Sequence, residues 1–445
     1  MKQSFYNFIL HKNDKAYWFN ALSFRHFILP NDLSSKIEPL LESDSTIHDI
    51  PESFRNKLFD NGFVIDDDCN EIDIIRNRNE KAIHSKDYML VVLPTLNCNF
   101  KCWYCIQNHI PSMMDDDIFE RIKQHIKHMV HNEEISSLSL EWFGGEPFMY
   151  FNKIVKPITQ YAKDICEEAK IPFEASATTN SYFITSEISK QLQSLRFTHF
   201  QISLDGNKKF HDKVKFQNGC ESTFERALTN INGILDNNPY ARVFLRFNYN
   251  HENLTPDVVE EINPFISKEN RKRVIVVTRK VWQADVDKSY SIQLQEILDG
   301  FSKSGYITTR WSPISNYIPC YANKKYYNAI NYNGNAVKCT ACNDLYEEEP
   351  KGVLQKDGTI LWNNEFDKRY QCKSFENEVC LNCKELPICM GNCPRDFING
   401  HCQCKKESVD ETIENALIDY IENFEKDITN NDSVKFEVVQ PWLSR

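Results

Sequence analysis

The stretch that decides the fold is YMLVVLPTLNCNFKCWYC, residues 88–105. It opens with a run of Met, Leu and Val that suits a buried parallel strand. It ends in three cysteines, Cys98, Cys102 and Cys105, spaced C-x3-C-x2-C. Three thiolates on one short loop can hold three irons of a 4Fe–4S cube and leave the fourth iron open to a ligand. A closed structural zinc site needs a fourth donor. Asn97, Asn99 and Asn108 are poor zinc ligands, and His109 is the one local residue that would serve.

Five further runs of the same kind follow: SLSLEWF, FEASATTN, HFQISLDG, RVFLRFNYN and KRVIVVTRKVW. Between them lie helical patterns, with Asp115, Thr185, Ser222 and Thr255 as expected N-caps. Six strand–helix alternations predict an α/β fold around a parallel sheet, either doubly wound or a partial barrel. In both, ligands gather at the C-terminal ends of the strands. SYSIQLQEILDGFSKSGY adds a helix near 289–305, and YYNAINYNGNAVKCT reads as a hairpin turning at Asn333-Gly334.

Residues 1–88 read as a separate small unit. YNFIL and KAYWFNALSFRHFIL are strand-like, NDLSSKIEPLLES opens a capped helix, and IPESFRNKLFDNGFVIDDD reads as helix, turn at Asn61-Gly62 and short strand. VDETIENALIDYIENFEKDI, within 408–430, is an amphipathic helix too acidic for a membrane anchor.

At 445 residues the chain is too long for one ordinary core. With 41% apolar and 12% aromatic residues, disorder is excluded as its main state. No run of 18 apolar residues is present, so no membrane-spanning helix is expected. The start, MKQSFYNFILHKNDK, lacks an apolar signal-peptide core, so a cytoplasmic location is expected. A net charge of −11 argues against a nucleic-acid partner. Of 16 cysteines, three lie in 98–105 and ten in 320–404. Clustered thiols in a reducing compartment indicate metal or redox chemistry rather than disulfides. Cys69, Cys166 and Cys220 stand alone and read as small apolar filler.

The cysteine string resembles the C-x3-C-x-aromatic-C signature of radical S-adenosylmethionine (SAM) enzymes, with Tyr104 as the aromatic. That resemblance implies an open iron chelating the amino and carboxylate groups of SAM. It also implies one-electron cleavage of SAM to a 5′-deoxyadenosyl radical, which abstracts a hydrogen atom from substrate. The protein holds and orients the cofactor. Gly144-Gly145-Glu146-Pro147 is a turn signal by itself. In this context it resembles the family's GGEP motif, whose backbone and Glu bind the SAM amino group. Ser203 and Asp205, in SLDG, match positions that contact the SAM ribose or carboxylate in relatives; an ordinary capped strand end is the alternative. Thr179-Asn180 ends the third strand, and Asn180 joins the expected cofactor contacts. Arg246, inside FLRFNY, is costly to bury without an anion, so it reads as a carboxylate holder or a surface ion pair.

Cys320, Gly334 and Cys339 fit C-x13-G-x4-C, and Cys380, Cys383, Cys389 and Cys393 fit C-x2-C-x5-C-x3-C. This pattern resembles the SPASM domain, which carries two auxiliary 4Fe–4S clusters; zinc ribbons are the alternative user of such pairs. The resemblance implies an outer cluster on Cys380, Cys383 and Cys389, completed by Cys402 or Cys404. It implies an inner cluster on Cys320, Cys339 and Cys393, for which Cys342, Cys372 or an open iron completes the set. The expected architecture is a partial (β/α)6 TIM-like barrel over 89–310. A small N-terminal α+β module precedes it at 1–88. A Cys-rich SPASM domain at 311–405 and a C-terminal helix and tail at 406–445 follow.

Most relatives of this layout modify a ribosomally made peptide or a protein. The expectation is therefore a maturase that oxidises a ribosomally made peptide, installing a thioether, C–C or C–O link. The module at 1–88 would grip the leader by strand addition, and a flavodoxin or ferredoxin would supply electrons. Oxidation of a protein side chain in the manner of sulfatase maturation, or of a small molecule, is the alternative. A non-catalytic metal-binding protein is the second. Where sulfatase-maturing relatives have an aspartate after the cysteine matching Cys339, this chain has Thr340, which weighs against that activity. Tyr317, Tyr321, Tyr326 and Asp344 are equal candidates for the proton acceptor.

Overall fold

The computed structural model describes residues 1–284, 290–309, 320–341, 345, 350–363, 377–391 and 413–429. The chain divides into two compact units. The first comprises residues 1–85 with the described parts of 312–325 and 367–445, and the second the described parts of 86–311 and 326–366.

In the first unit, β1 (Lys2–Gln3) pairs antiparallel with β5 (Val64–Ile65). The strands β2 (Asn7–Lys12), β3 (Lys15–Asn20) and β4 (Arg25–Pro30) form an antiparallel sheet with β3 central. Because side chains alternate along a strand, Ala16 and Trp18 point to one face of β3, and Tyr17 and Phe19 to the other. Trp18 packs with Ile37, Leu41, Leu58 and Phe63, drawing in α1 (Asn31–Leu41) and α2 (Glu52–Asp60). Tyr17 and Phe19 pack with Leu386, Ile388, Leu417 and Ile421, the last two on the helix Ile413–Thr429. Two differences from the sequence reading stand out. No side chain caps α1: Pro30 occupies the N-cap position, and Asn31 instead bonds His11 and the Asn13 carbonyl. A further helix, α3 (Glu71–His84), is capped by Asn70 and was not anticipated, since its isoleucines are scattered among charges.

The second unit is built on parallel strands in sequential spatial order: β6 (Asp87–Leu93), β7 (Ser137–Trp142), β8 (Phe173–Thr179), β9 (Phe197–Leu204), β10 (Arg242–Tyr249), β11 (Val274–Lys280) and β12 (Ile307–Thr309). A doubly wound sheet reverses its order at a switch point. This one does not, and the order is that of a partial barrel. Helices fill the crossovers: α4 (Asp116–His131), α5 (Lys156–Ala169), α6 (Ser186–Leu192), α7 (Lys208–Val214), α8 (Thr223–Asn237), α9 (Val258–Ile262), α10 (Lys268–Arg271) and α11 (Tyr290–Lys303). Asp115, Thr185 and Ser222 cap α4, α6 and α8 through their side chains. Thr255 does not cap α9; only its carbonyl is used, accepting from Val258 N. The short β12 adds a seventh parallel strand to the six expected.

The sheet's two faces differ. Leu90, Leu140, Trp142, Phe200, Leu245 and Val276 face the helices and form the main core. On the opposite face, register aligns Val91, Glu141 and Ser176, then Thr178 with Gln201, then Ser203 with Arg246. The interior of the barrel is therefore polar. Beyond β6 the sheet continues through β13 (Tyr327–Asn331), which is parallel to β6. The antiparallel β14 (Asn335–Val337), β15 (Gly352–Leu354) and β16 (Ile360–Trp362) follow. The β13–β14 hairpin turns at Gly334, whose φ of +83° favours glycine. Tyr88 OH lies 2.5 Å from His125 Nε2 and 3.0 Å from Asn328 Nδ2, tying β6 to α4 and β13.

Candidate active site at the strand ends

Cys98, Cys102 and Cys105 lie on the loop leaving β6, and all three are free thiols. Two corners of the sheet grip this loop. At the first, Gly145 N donates to Thr95 O (3.1 Å) and Glu146 N to Asn97 O (2.9 Å). A Cβ on Gly144 or Gly145 would collide with Thr95 O or Asn97 O, so these glycines let the two backbones meet. The Glu146 carboxylate is fully buried and accepts from Phe148 N (2.9 Å), Thr179 Oγ1 (2.8 Å) and Asn180 N (2.8 Å). Burial pushes its carboxyl up to about 7 against those three bonds, which favour the ionised form. Asn180 Nδ2 donates to Asn99 Oδ1 (2.9 Å) and lies 3.8 Å from Cys98 Sγ.

At the second corner the Tyr104 hydroxyl donates to Asp205 Oδ1 (2.6 Å). Asn248 Nδ2 is 3.2 Å from both oxygens. Lys215 Nζ meets Asp205 Oδ2 at 2.5 Å, Tyr104 Oη at 3.3 Å and Ser203 O at 3.3 Å. Burial alone would raise the Asp205 carboxyl, but the Lys215 ammonium beside it holds it below the ordinary carboxylate range. Arg246, half-buried on the interior face of β10, donates through Nε to Asn248 Oδ1 (3.0 Å). No local motif marks Lys215, which closes the charged run KKFHDKVK.

Burial pushes the Cys98 thiol up to about 12 and the Cys102 thiol to about 11, and raises Cys105 as well. Such thiols ionise when a cation binds them directly. Among the described residues the flanking acids Glu146 and Asp205 are already bonded within the protein, which leaves a three-sulfur donor set. That set fits a cube held at three corners. A cavity of about 240 Å³ opens beside it, with apolar walls from Trp103, Phe210 and Val281 and polar edges from Tyr104, Asp205 and Asn248.

The second cysteine field is described only in part. Cys339 is buried after β14, in the second unit. Cys320 is half-buried in the first unit, together with Cys380, Cys383 and the exposed Cys389. Cys383 N donates to Cys380 O (3.1 Å), so these two thiols share one turn. Cys342, Cys372, Cys393, Cys402 and Cys404 lie outside the described residues, as do Tyr317 and Asp344. Tyr326 OH donates to Glu133, just past the C-terminus of α4, at the opposite end of the strands from the cysteine loop.

Residues 92–253 match the family model of the Radical SAM superfamily. With the three-thiol loop at the strand ends, this defines the class of that region: residues 92–253 form a radical SAM domain. The chain is 26% identical over 221 residues to the radical SAM cyclopropyl synthase TigE of Paramaledivibacter caminithermalis, a match covering 44% of this chain and 43% of that protein. It thus spans less than half of TigE. It is 23% identical over 346 residues to a cysteine-type anaerobic sulfatase-maturating enzyme of Clostridium novyi, covering 70% of this chain and 90% of that one. The fold is similar to the solved structure of anSMEcpe with bound AdoMet, with a TM-score of 0.50 and 17% identity over 77% of this chain and 94% of that one. Among the described residues, no helix is long and apolar enough to cross a membrane.

Proposed function

We propose that the chain is a radical SAM/SPASM peptide maturase: it abstracts a hydrogen atom from a ribosomally synthesised peptide and oxidises it to a thioether, C–C or C–O crosslink. One observation carries this reading. A chain with three free thiols on the loop leaving the first barrel strand also holds, at its N-terminus, a three-stranded antiparallel sheet followed by three helices. A module of that build offers a sheet edge on which an extended leader peptide adds as a strand.

In this reading Cys98, Cys102 and Cys105 hold a 4Fe–4S cluster. Tyr104, Gly144, Gly145, Glu146, Asn180, Ser203, Asp205 and Arg246 surround SAM. When bound, that group supplies one-electron cleavage of SAM and hydrogen-atom abstraction. The chain's own contribution is geometric. The two corners hold the loop, Glu146 turns its carboxylate toward the strand ends, and Trp103, Phe210 and Val281 give the cavity apolar walls. Loss of one hydrogen atom, then of one electron and one proton, removes two hydrogens from the peptide. The C-terminal cysteines, Cys320, Cys339, Cys380, Cys383 and Cys389 among them, would hold two auxiliary clusters able to supply an electron acceptor, and a flavodoxin or ferredoxin would be the reductant. In domain terms, residues 1–88 recognise the leader, 89–310 carry the radical chemistry, 311–405 hold the auxiliary clusters, and 406–445 close the chain.

The test is anaerobic incubation with SAM, a reductant and a peptide encoded beside the gene, followed by mass spectrometry. The expected product has lost two hydrogens, with one 5′-deoxyadenosine formed per peptide. SAM cleavage with the peptide unaltered would remove the proposed substrate. A second reading, sulfatase maturation, is favoured by the 90% coverage of the Clostridium novyi relative. Thr340 after Cys339 counts against it, and a sulfatase-derived peptide in the same assay separates the two.

A further inference from the structure

We propose that the N-terminal sheet and the loop 378–389 form one cooperative unit, so that loading an iron–sulfur cluster on Cys380, Cys383 and Cys389 stabilises the sheet proposed above to receive the leader. The inference rests on the reading of those three cysteines as ligands of the outer cluster.

Sheet and loop lie in the same compact unit. The loop has little structure of its own. It holds two one-turn helices, Glu378–Leu381 and Leu386–Cys389, joined by a turn in which Cys383 N donates to Cys380 O (3.1 Å) and Leu386 N to Cys383 O (3.1 Å). Helices this short do not hold themselves in water. Three thiols between 380 and 389 are a donor set that a cluster can staple. Yet this loop forms one wall of the sheet. Leu386 and Ile388 are buried against Tyr6, Tyr17 and Phe19, and Cys380 packs on the same residues. Lys384 Nζ, next to Cys383, donates to Asn7 O at the start of β2 (3.2 Å). Tyr6 is 1% exposed, and its hydroxyl has no hydrogen-bond partner among the described residues. A buried hydroxyl in that state calls for an acceptor that the polypeptide does not supply, and a cluster sulfur on the adjoining loop is one. The helix Ile413–Thr429 completes the wall: the Tyr17 hydroxyl donates to Glu422 (2.7 Å), and Tyr420 packs edge-on against Phe19 and Phe24. Phe24 has a φ of +60°, a left-handed conformation that a bulky residue keeps only where its surroundings hold it. A sheet that leans on a stapled loop loses this wall when the staple is absent. Metal binding and order of the sheet are then linked, and the linkage is reciprocal.

The experiment is hydrogen–deuterium exchange, read by mass spectrometry, on the reconstituted holoenzyme and its Cys383→Ala variant, with iron counted in both. The variant should lose roughly a third of the iron. Amides of β3 should exchange roughly tenfold faster or more, while those of β7 and β9, in the second unit, stay as in wild type. Cys98→Ala, which loses a similar share of iron from the other unit, should leave β3 unchanged. Wild-type β3 exchange in a Cys383→Ala protein that has lost iron overturns the proposal. A loss of protection shared equally by β3, β7 and β9, or an equal loss at β3 in Cys98→Ala, marks a general effect of iron loss and overturns it too. If Cys383→Ala cannot be recovered folded, Lys384→Met decides, because it keeps every cysteine. Faster β3 exchange together with faster release of iron to a chelator supports the coupling, and a wild-type value of either overturns it. An iron content unchanged by Cys383→Ala would instead refute the ligand reading beneath the proposal.

Discussion

The two corners that grip the cysteine loop solve the same problem with opposite electrostatics. At the β7–β8 corner two buried acids, Glu141 and Glu146, have hydroxyl and backbone N–H donors around them and, among the described residues, no cation bonded to them. Burial pushes both carboxyls up to about 7. At the β9–β10 corner one buried acid, Asp205, is matched by Lys215 and held charged. The first corner fixes the Cys98 end of the loop by dipoles, the second the Cys105 end by an ion pair. Dipolar anchoring is responsive to protons near neutrality; ionic anchoring is indifferent to them there and fails only when one partner is removed.

Removing one partner is accordingly the largest effect expected. Asp205→Ala leaves the Lys215 ammonium enclosed without its carboxylate, and breaking a buried pair in this way costs about 3–5 kcal/mol. The loss should appear as a large drop in the melting temperature of the purified chain. Because Asp205 sits below the ordinary carboxylate range, its contribution is complete above that range and is lost only as pH falls through it. The penalty of Asp205→Ala should therefore be flat between pH 6 and 8. A penalty under about 1 kcal/mol would mean that the Lys215 head reaches water or another acid.

What the sequence discloses follows from how local each signal is. The barrel strands, the cysteine loop, Gly144-Gly145-Glu146 and the caps Asp115, Thr185 and Ser222 depend on neighbours within a few residues, and all are legible. The polar interior face was harder to see, because RVFLRFNYN and SLSLEWF read as apolar runs until register separates Arg246 and Glu141 from their flanking core residues. Lys215 is illegible for a different reason. Its burial depends on Asp205, ten positions earlier and across a helix, and on Tyr104 from another strand end. Thr255 misleads because a Thr ahead of an apolar run carries the signature of a cap, while the helix begins only at Val258.

The dipolar corner predicts a pH response of known sign. With folded-state values near 7 against an ordinary 4.5, Glu141 and Glu146 keep protons that the unfolded chain gives up. Their contribution to stability therefore declines as pH rises from about 4.5 to 7 and is level above that. His125 and His211, which burial lowers to about 4 and about 3, slope the opposite way up to 6.5, since only the unfolded chain protonates there. A paired comparison isolates the acid. Glu141→Gln should match wild type at pH 5, where the acid is protonated. It should exceed wild type by about 1–3 kcal/mol at pH 8, read from denaturant midpoints across a pH series. A gap that is constant with pH would show that Glu141 is ionised throughout and place the response elsewhere.

The smallest effect tests how finely the same corner is set. Among the described residues Glu141 accepts one hydrogen bond, from Thr178 Oγ1 at 3.1 Å, and Thr178 in turn sits 3.4 Å from Gln201 Nε2. That bond favours the ionised carboxylate and restrains the upward push of burial. Thr178→Val keeps the shape and removes the donor. At pH 5 the variant should lose under about 1 kcal/mol, the ordinary net worth of a hydrogen bond. Above pH 7 the loss should widen by about 1.4 kcal/mol for each further unit by which the folded-state value climbs. The pH at which the Glu141→Gln comparison levels off should move upward when both measurements are made in the Thr178→Val background. A loss that stays the same from pH 5 to 8 would mean that the hydroxyl serves Gln201 rather than the carboxylate, and the proton response would then belong to Glu146, whose three donors Thr178 does not touch.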